Sequence, residues 1–101
     1  MTFVNAGTLG TLGGHRDELV ATLTQRNELL RELGCRLYEV GVSENAPDTV
    51  FVVEVWESAD AHQRSLEHPQ VRATIATARP ILSGEFGGFR FDVVGSPLRD
   101  E

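Results

Sequence analysis

The chain has a single cysteine, Cys35, and so can form no disulfide within itself. A lone thiol fits a reducing compartment, and the expected location is cytoplasmic. No basic residue is an obvious neighbour that would lower its pKa, so Cys35 reads as a small packed residue at the start of a strand. Basic side chains are scarce as well: nine against fifteen acidic ones, a formal net charge of −6. Nucleic acid and anionic membrane surfaces need a positive footprint, so neither is an expected partner. No apolar run approaches the length of a membrane span. The first fifteen residues lack the basic and apolar regions of a signal peptide. Phosphate loops are missing too, because Gly10, Gly13 and Gly14 have the wrong spacing for a dinucleotide or nucleotide motif. There is no H-E-x-x-H and no Cys/His ligand set, and His62 and His68 do not share one helix face. The expectation is therefore no metal and no cofactor.

What remains is an acidic chain of 101 residues, enough for one domain. We expect that domain over residues 1–95 and a flexible polar tail over 96–101. A core this small is not expected to enclose a roomy cavity without a partner. Phe3 to Leu9 alternates and reads as a strand, followed by a glycine-rich loop to Gly14. From His15 to Leu33 the period changes. Leu19, Leu23, Leu30 and Leu33 fall near one stripe, which predicts one amphipathic helix closed by Gly34. Cys35 to Val42 returns to strand character. Ser43 to Thr49 is a polar turn, so a hairpin is expected with the next strand. After it, Pro69 separates two helices, Ala59 to Glu67 and Pro69 to Leu82. The second carries Val71, Ile75, Ala78 and Leu82 on a stripe, with Pro80 kinking its end and Gly84 closing it. Glu85 to Val94 is the final strand, with Phe89, Phe91 and Val93 on one face. Gly87-Gly88 predicts a bulge or a close backbone approach. Arg72 and Arg79 fall off the apolar stripe and read as solvated.

The resulting order, β-α-β-β-α-β, is an α+β, ferredoxin-like plan. Both helices cover one sheet face, and the other is left apolar. A bare apolar sheet favours a homodimer closed sheet to sheet.

The densest signal is Val50 to Ser58, V-F-V-V-E-V-W-E-S. Val50, Val52, Glu54 and Trp56 share one strand face, and Ser58 can cap the helix that opens at Ala59. The pattern E-x-W-E-S-x-x-A at a strand-to-helix junction resembles the antibiotic biosynthesis monooxygenase family. The resemblance runs from Phe3 to Phe91 in element order and spacing. It implies a ferredoxin-like protomer forming a dimeric α/β barrel.

Candidate site residues follow from the faces. His62 lies with Ala59 and Leu66 on the inward helix face. Imidazole titrates near neutrality and can take a proton from a phenol; a core-edge histidine bonded to backbone is the structural alternative. The resemblance implies a further comparison: some quinol-oxidising relatives place a tyrosine at this offset from the tryptophan. Trp56 provides a flat wall and an N–H that can donate to a substrate oxygen, or is simply core. Asn5 shares strand parity with Phe3 and needs a partner if it points inward. Haem-degrading relatives use an asparagine on this strand, in a register nearer Gly7. Glu54, Ser65 and Leu66 are expected to contact substrate. Other members carry helix histidines where this chain has Ser65 and Gln70, and haem-degrading ones an axial histidine near the position of Ile75. Those differences disfavour haem degradation.

The resemblance thus implies a cofactor-independent monooxygenase oxidising an aromatic quinol or polyphenol with O2, with His62 as proton acceptor, Trp56 as wall and Asn5 as orienter. Two alternatives stay open. One is a non-catalytic dimer binding a small aromatic or apolar ligand; the other is a small-molecule isomerase on the same scaffold.

Overall fold

A computed structural model describes residues 1–99. Its four strands are β1 (Phe3–Thr11), β2 (Cys35–Ser43), β3 (Ala46–Trp56) and β4 (Leu82–Asp92). They form one sheet in the order β2-β3-β1-β4, every neighbouring pair antiparallel. Helices α1 (Arg16–Leu23) and α2 (Glu28–Glu32) join β1 to β2, and α3 (Ala59–Ser65) and α4 (Pro69–Ala78) join β3 to β4. This is the ferredoxin-like α+β plan, and β2 and β3 form the expected hairpin.

The local departures from expectation have physical reasons. The predicted helix from His15 to Leu33 is two helices. Its leucine spacing continues across the break, but Thr24 and Asn27 prefer backbone hydrogen bonds of their own. The Thr24 hydroxyl donates to the Val20 carbonyl, and the Asn27 side chain accepts from the Leu29 N–H as the cap of α2. Gly34 does end this region, at φ 106°, where a side chain would be strained. The turn between β2 and β3 shrinks to residues 44–45, because Ala46–Thr49 already belong to β3. Helix α4 stops at Ala78, and a short 3₁₀ turn (Arg79–Ile81) carries Pro80, which cannot donate into an α-helix. Leu82 therefore opens β4 instead of closing a helix. Gly84 sits within β4, where the register with β1 shifts between Leu9 and Thr11. Gly87 and Gly88 are in regular register, so the irregularity is not theirs. They make the close approach instead: a Cβ at Gly88 would overlap the Ala6 carbonyl.

The sheet has two unlike faces. Toward the helices, Phe3, Cys35, Trp56 and Ala61 form one buried cluster, and Leu19, Val50, Ala78 and Ile81 form a second. The opposite face exposes Leu37, Phe51, Phe89 and Phe91, with Val53 and Val55 half-buried between them. Beyond β4 the chain turns once, with a bridge between Ser96 and Arg99. The remainder of the expected tail, residues 100–101, lies outside the described residues. No helix among the described residues is long and apolar enough to cross a membrane.

Candidate functional site

The two core clusters do not merge, and a cavity of about 680 Å³ opens between sheet and helices. The cavity is about half open to solvent, so this chain alone does not enclose it, in keeping with the expectation for so small a core. A divided core, with α1 and α2 parted at residues 24–27, leaves the room. All six expected site residues line the cavity: Asn5, Glu54, Trp56, His62, Ser65 and Leu66.

Strand register explains how the floor is built. Asn5 on β1 stands opposite Glu54 on β3. Asn5 Nδ2 donates to Glu54 Oε2 at 2.8 Å, and Trp56 Nε1 donates to Glu54 Oε1 at 3.0 Å. A carboxylate only accepts, so the amide nitrogen of Asn5 must face it, and the Asn5 oxygen stays free for a ligand. Glu54 is 8% exposed and Trp56 only 1%. The carboxylate and its two donors thus form one connected polar unit inside the apolar cluster. The indole N–H expected to serve a substrate oxygen is committed to Glu54.

Trp56 in turn supports His62. The imidazole meets the indole edge-on at 5.4 Å between centroids and lies tilted against Phe3 at 5.5 Å. His62 is buried, at 5% exposure, yet no described residue hydrogen-bonds its ring. No buried ring nitrogen is left unsatisfied either, so the nitrogens open toward the cavity. Burial holds the imidazole below its usual pKa. The Glu54 carboxylate opposes that shift and Arg90 adds to it. A neutral imidazole facing an apolar cavity can accept a proton.

Helix α3 presents this ring for local reasons. Ser58 caps it by accepting from the Ala61 N–H, and Ser65 Oγ donates to the His62 carbonyl at 2.6 Å. The Ser65 proton is therefore engaged with backbone, and toward a ligand Ser65 can act only as an acceptor. Leu66, half-buried just past α3, adds apolar wall. His68 caps α4 through Nδ1, which accepts from the Gln70 N–H at 3.2 Å.

Among the lining residues that the sequence reading did not name as site residues, two stand on the strands beside Asn5 and Glu54. Tyr38 stands opposite Glu54 on β2, and Arg90 stands opposite Asn5 on β4. Burial first, and then the Glu54 charge, push the Tyr38 phenol well above its usual pKa, so it remains protonated. Strand parity was the available signal: Tyr38 shares a face with Val40, and Arg90 lies opposite in parity to Phe89 and Phe91. Arg79, read as solvated, also lines the cavity mouth. Cys35 is buried against Trp56, and desolvation pushes its thiol up to about 11, which fits a packing role. Among the described residues, no three His, Cys, Asp or Glu side chains are grouped to hold a metal ion.

Comparison with known proteins identifies the family and the fold. The family model of the antibiotic biosynthesis monooxygenases matches residues 2–77. A Chloroflexus aurantiacus protein carrying that family name is 30% identical, covering 95% of this chain and 96% of its own, at a TM-score of 0.80. A Shewanella oneidensis protein of 23% identity covers 89% of this chain and 88% of its own, at a TM-score of 0.75. SnoaB, a cofactor-independent oxygenase from Streptomyces nogalater, shares only 12% identity. It covers 97% of this chain and 98% of its own at a TM-score of 0.77, a likeness of fold alone. No curated protein matches the sequence.

Proposed function

This chain belongs to the antibiotic biosynthesis monooxygenase family, and we propose that it is a cofactor-independent monooxygenase that oxidises an aromatic quinol or polyphenol with O2. The observation that carries the reading is His62: a buried imidazole of lowered pKa, backed by two rings, with its nitrogens open to an apolar cavity. Neutral His62 takes a phenolic proton. The phenolate that results is electron-rich enough to pass an electron to O2. The two radicals combine at a ring carbon that carries hydrogen, the His62 imidazolium returns its proton to the peroxide, and loss of water with that carbon's hydrogen leaves the quinone, with one oxygen atom in the product and the other in water. The protein contributes a proton acceptor, exclusion of bulk water and orientation. Asn5, held by Glu54, offers its amide oxygen as an orienter. The same description, cofactor-independent oxygenase, attaches to SnoaB.

The working unit in this reading is a homodimer in the cytoplasm. Leu37, Phe51, Phe89 and Phe91 on the uncovered sheet face support the dimer, because such a face is costly in water. A second reading, a non-catalytic ligand-binding dimer, draws on the commitment of the Trp56 and Ser65 donors to the protein itself.

Oxygen uptake on a panel of anthrones and naphthoquinols separates the two. In the oxygenase reading, His62→Ala lowers turnover by roughly 100- to 10,000-fold and leaves the circular dichroism spectrum intact. Unchanged turnover in a folded His62→Ala assigns the residue to packing. Quenching of Trp56 by quinols without any oxygen uptake supports the binding dimer.

A further inference from the structure

The cavity floor holds a row of polar side chains, one from each strand: Tyr38, Glu54, Asn5 and Arg90, in register across β2, β3, β1 and β4. With strands about 4.8 Å apart, the row spans roughly 14 Å. Its middle is satisfied internally, since Glu54 takes one bond from Asn5 and one from Trp56. Its ends are not. Neither the Tyr38 hydroxyl nor the Arg90 guanidinium bonds to any described residue.

Arg90 is the informative end. A guanidinium keeps its charge at every ordinary pH. The chain has fifteen acidic residues, yet none of the described ones pairs with Arg90, not even Asp92 two places along the same strand face. A permanent cation with no partner among the described residues, lining a ligand-sized cavity, has complementarity for an anion. The middle of the row repels one: the Glu54 carboxylate lies two places along from Arg90, and the His62 ring is neutral. Arg90 also sits on the edge strand and is exposed, so an anion bound to it keeps part of its hydration and avoids a full desolvation cost.

We propose that the cavity selects a hydroxylated aromatic ligand bearing a carboxylate. The carboxylate is held by the Arg90 fork at the β4 edge, and the ring system lies along the polar row toward His62. Arg90 is then a specificity-determining residue: it orients the molecule so that its phenolic end, and not its acid end, reaches the imidazole. Tyr38, a donor at the far end of the row, is placed to bond a ring oxygen. The proposal rests on the reading that this cavity takes an aromatic phenol, but it does not depend on turnover.

The test is a matched pair of probes in isothermal titration calorimetry. One is a hydroxynaphthoate with its two groups on opposite rings; the other is the same naphthol without the carboxylate. For wild type we expect the acid to bind about tenfold more tightly than the naphthol, with the difference shrinking as salt is added. Arg90→Gln removes the difference and leaves naphthol affinity unchanged, and Arg90→Lys restores part of it. Equal affinities in wild type, no binding of the acid, or a preference that survives Arg90→Gln but is lost in Arg79→Gln each overturn the proposal. A tenfold preference without oxygen uptake on any quinol leaves this recognition standing and removes only the oxygenase reading. Oxygen uptake on neutral quinols with no preference for acids does the reverse.

Discussion

The bond from Trp56 to Glu54 joins the core to the site, and its strength can be isolated. The donor is 1% exposed, the acceptor 8%, and the N–H···O distance is 3.0 Å. A charge-assisted bond of this kind is worth about 1.5–3 kcal/mol. Single substitutions mix that term with others. Glu54→Leu leaves the sealed indole N–H without a partner, but it also relieves the cost of a buried carboxylate. Trp56→Phe deprives Glu54 of one donor and trims the wall behind His62. The double variant Glu54→Leu/Trp56→Phe has neither orphan, so the double-mutant cycle cancels the private costs and leaves the pair term. We expect the double variant to be more stable than the sum of the single losses predicts, by about 1.5–3 kcal/mol. In a domain of this size that corresponds to roughly 6–24 °C in Tm. The assay is urea unfolding followed by circular dichroism, because Trp56 is the only tryptophan and its fluorescence is lost in two of the four proteins. Protein concentration must be held constant across the set, since a dimer unfolds in a concentration-dependent way. Additivity within about 0.5 kcal/mol would falsify the claim that Glu54, Trp56 and Asn5 act as one connected unit.

Three other outcomes are expected. Because the folded His62 pKa is depressed, the unfolded chain binds a proton more readily below the ordinary histidine pKa of about 6.5. Stability is therefore full above that pH and declines as pH falls toward the folded value; thermal melts from pH 7.5 to 5 should show the decline, and His62→Phe should flatten it. The exposed parts of Leu37, Phe51, Phe89 and Phe91 amount to about two whole apolar side chains, or roughly 3–6 kcal/mol per protomer if buried. Light scattering should then find a dimer in wild type and a monomer in Phe89→Asp/Phe51→Asp; a wild-type monomer at micromolar concentration refutes the sheet-to-sheet assembly. Cys35, buried and with its thiol pushed up to about 11, should react with an aromatic disulfide reagent at pH 8 at least about 100-fold more slowly than in urea. Equal rates would place the thiol at the surface.

Much of this was legible along the chain because side-chain period encodes which face is covered. The alternation in β3 put Glu54 and Trp56 on one face with Val50 and Val52, and that is where they lie. The inward stripe of α3 placed His62 and Leu66 toward the sheet, and Ser58 and Pro69 marked helix starts correctly. Phe89 and Phe91 were legible as a second apolar face. The elements that misled were those where two local rules disagreed. The leucine stripe of His15 to Leu33 carried through a break that Thr24 and Asn27 capping chemistry imposed, and the stripe of α4 carried Leu82 past a proline that ends the helix.

What period and propensity cannot supply is the partner of a residue far away in sequence. The order β2-β3-β1-β4 and its register are long-range facts, decided when the sheet closes and each strand finds the alignment that buries its apolar set. Only that alignment sets Tyr38, Glu54, Asn5 and Arg90 side by side, directs the Trp56 N–H to Glu54 instead of a ligand, and leaves Arg90 without a counter-ion among the described residues. Local sequence thus determined which residues face inward. Tertiary structure decided which of them meet, because hydrogen bonds and charge pairs act over a few ångströms between strands that lie dozens of residues apart in the chain.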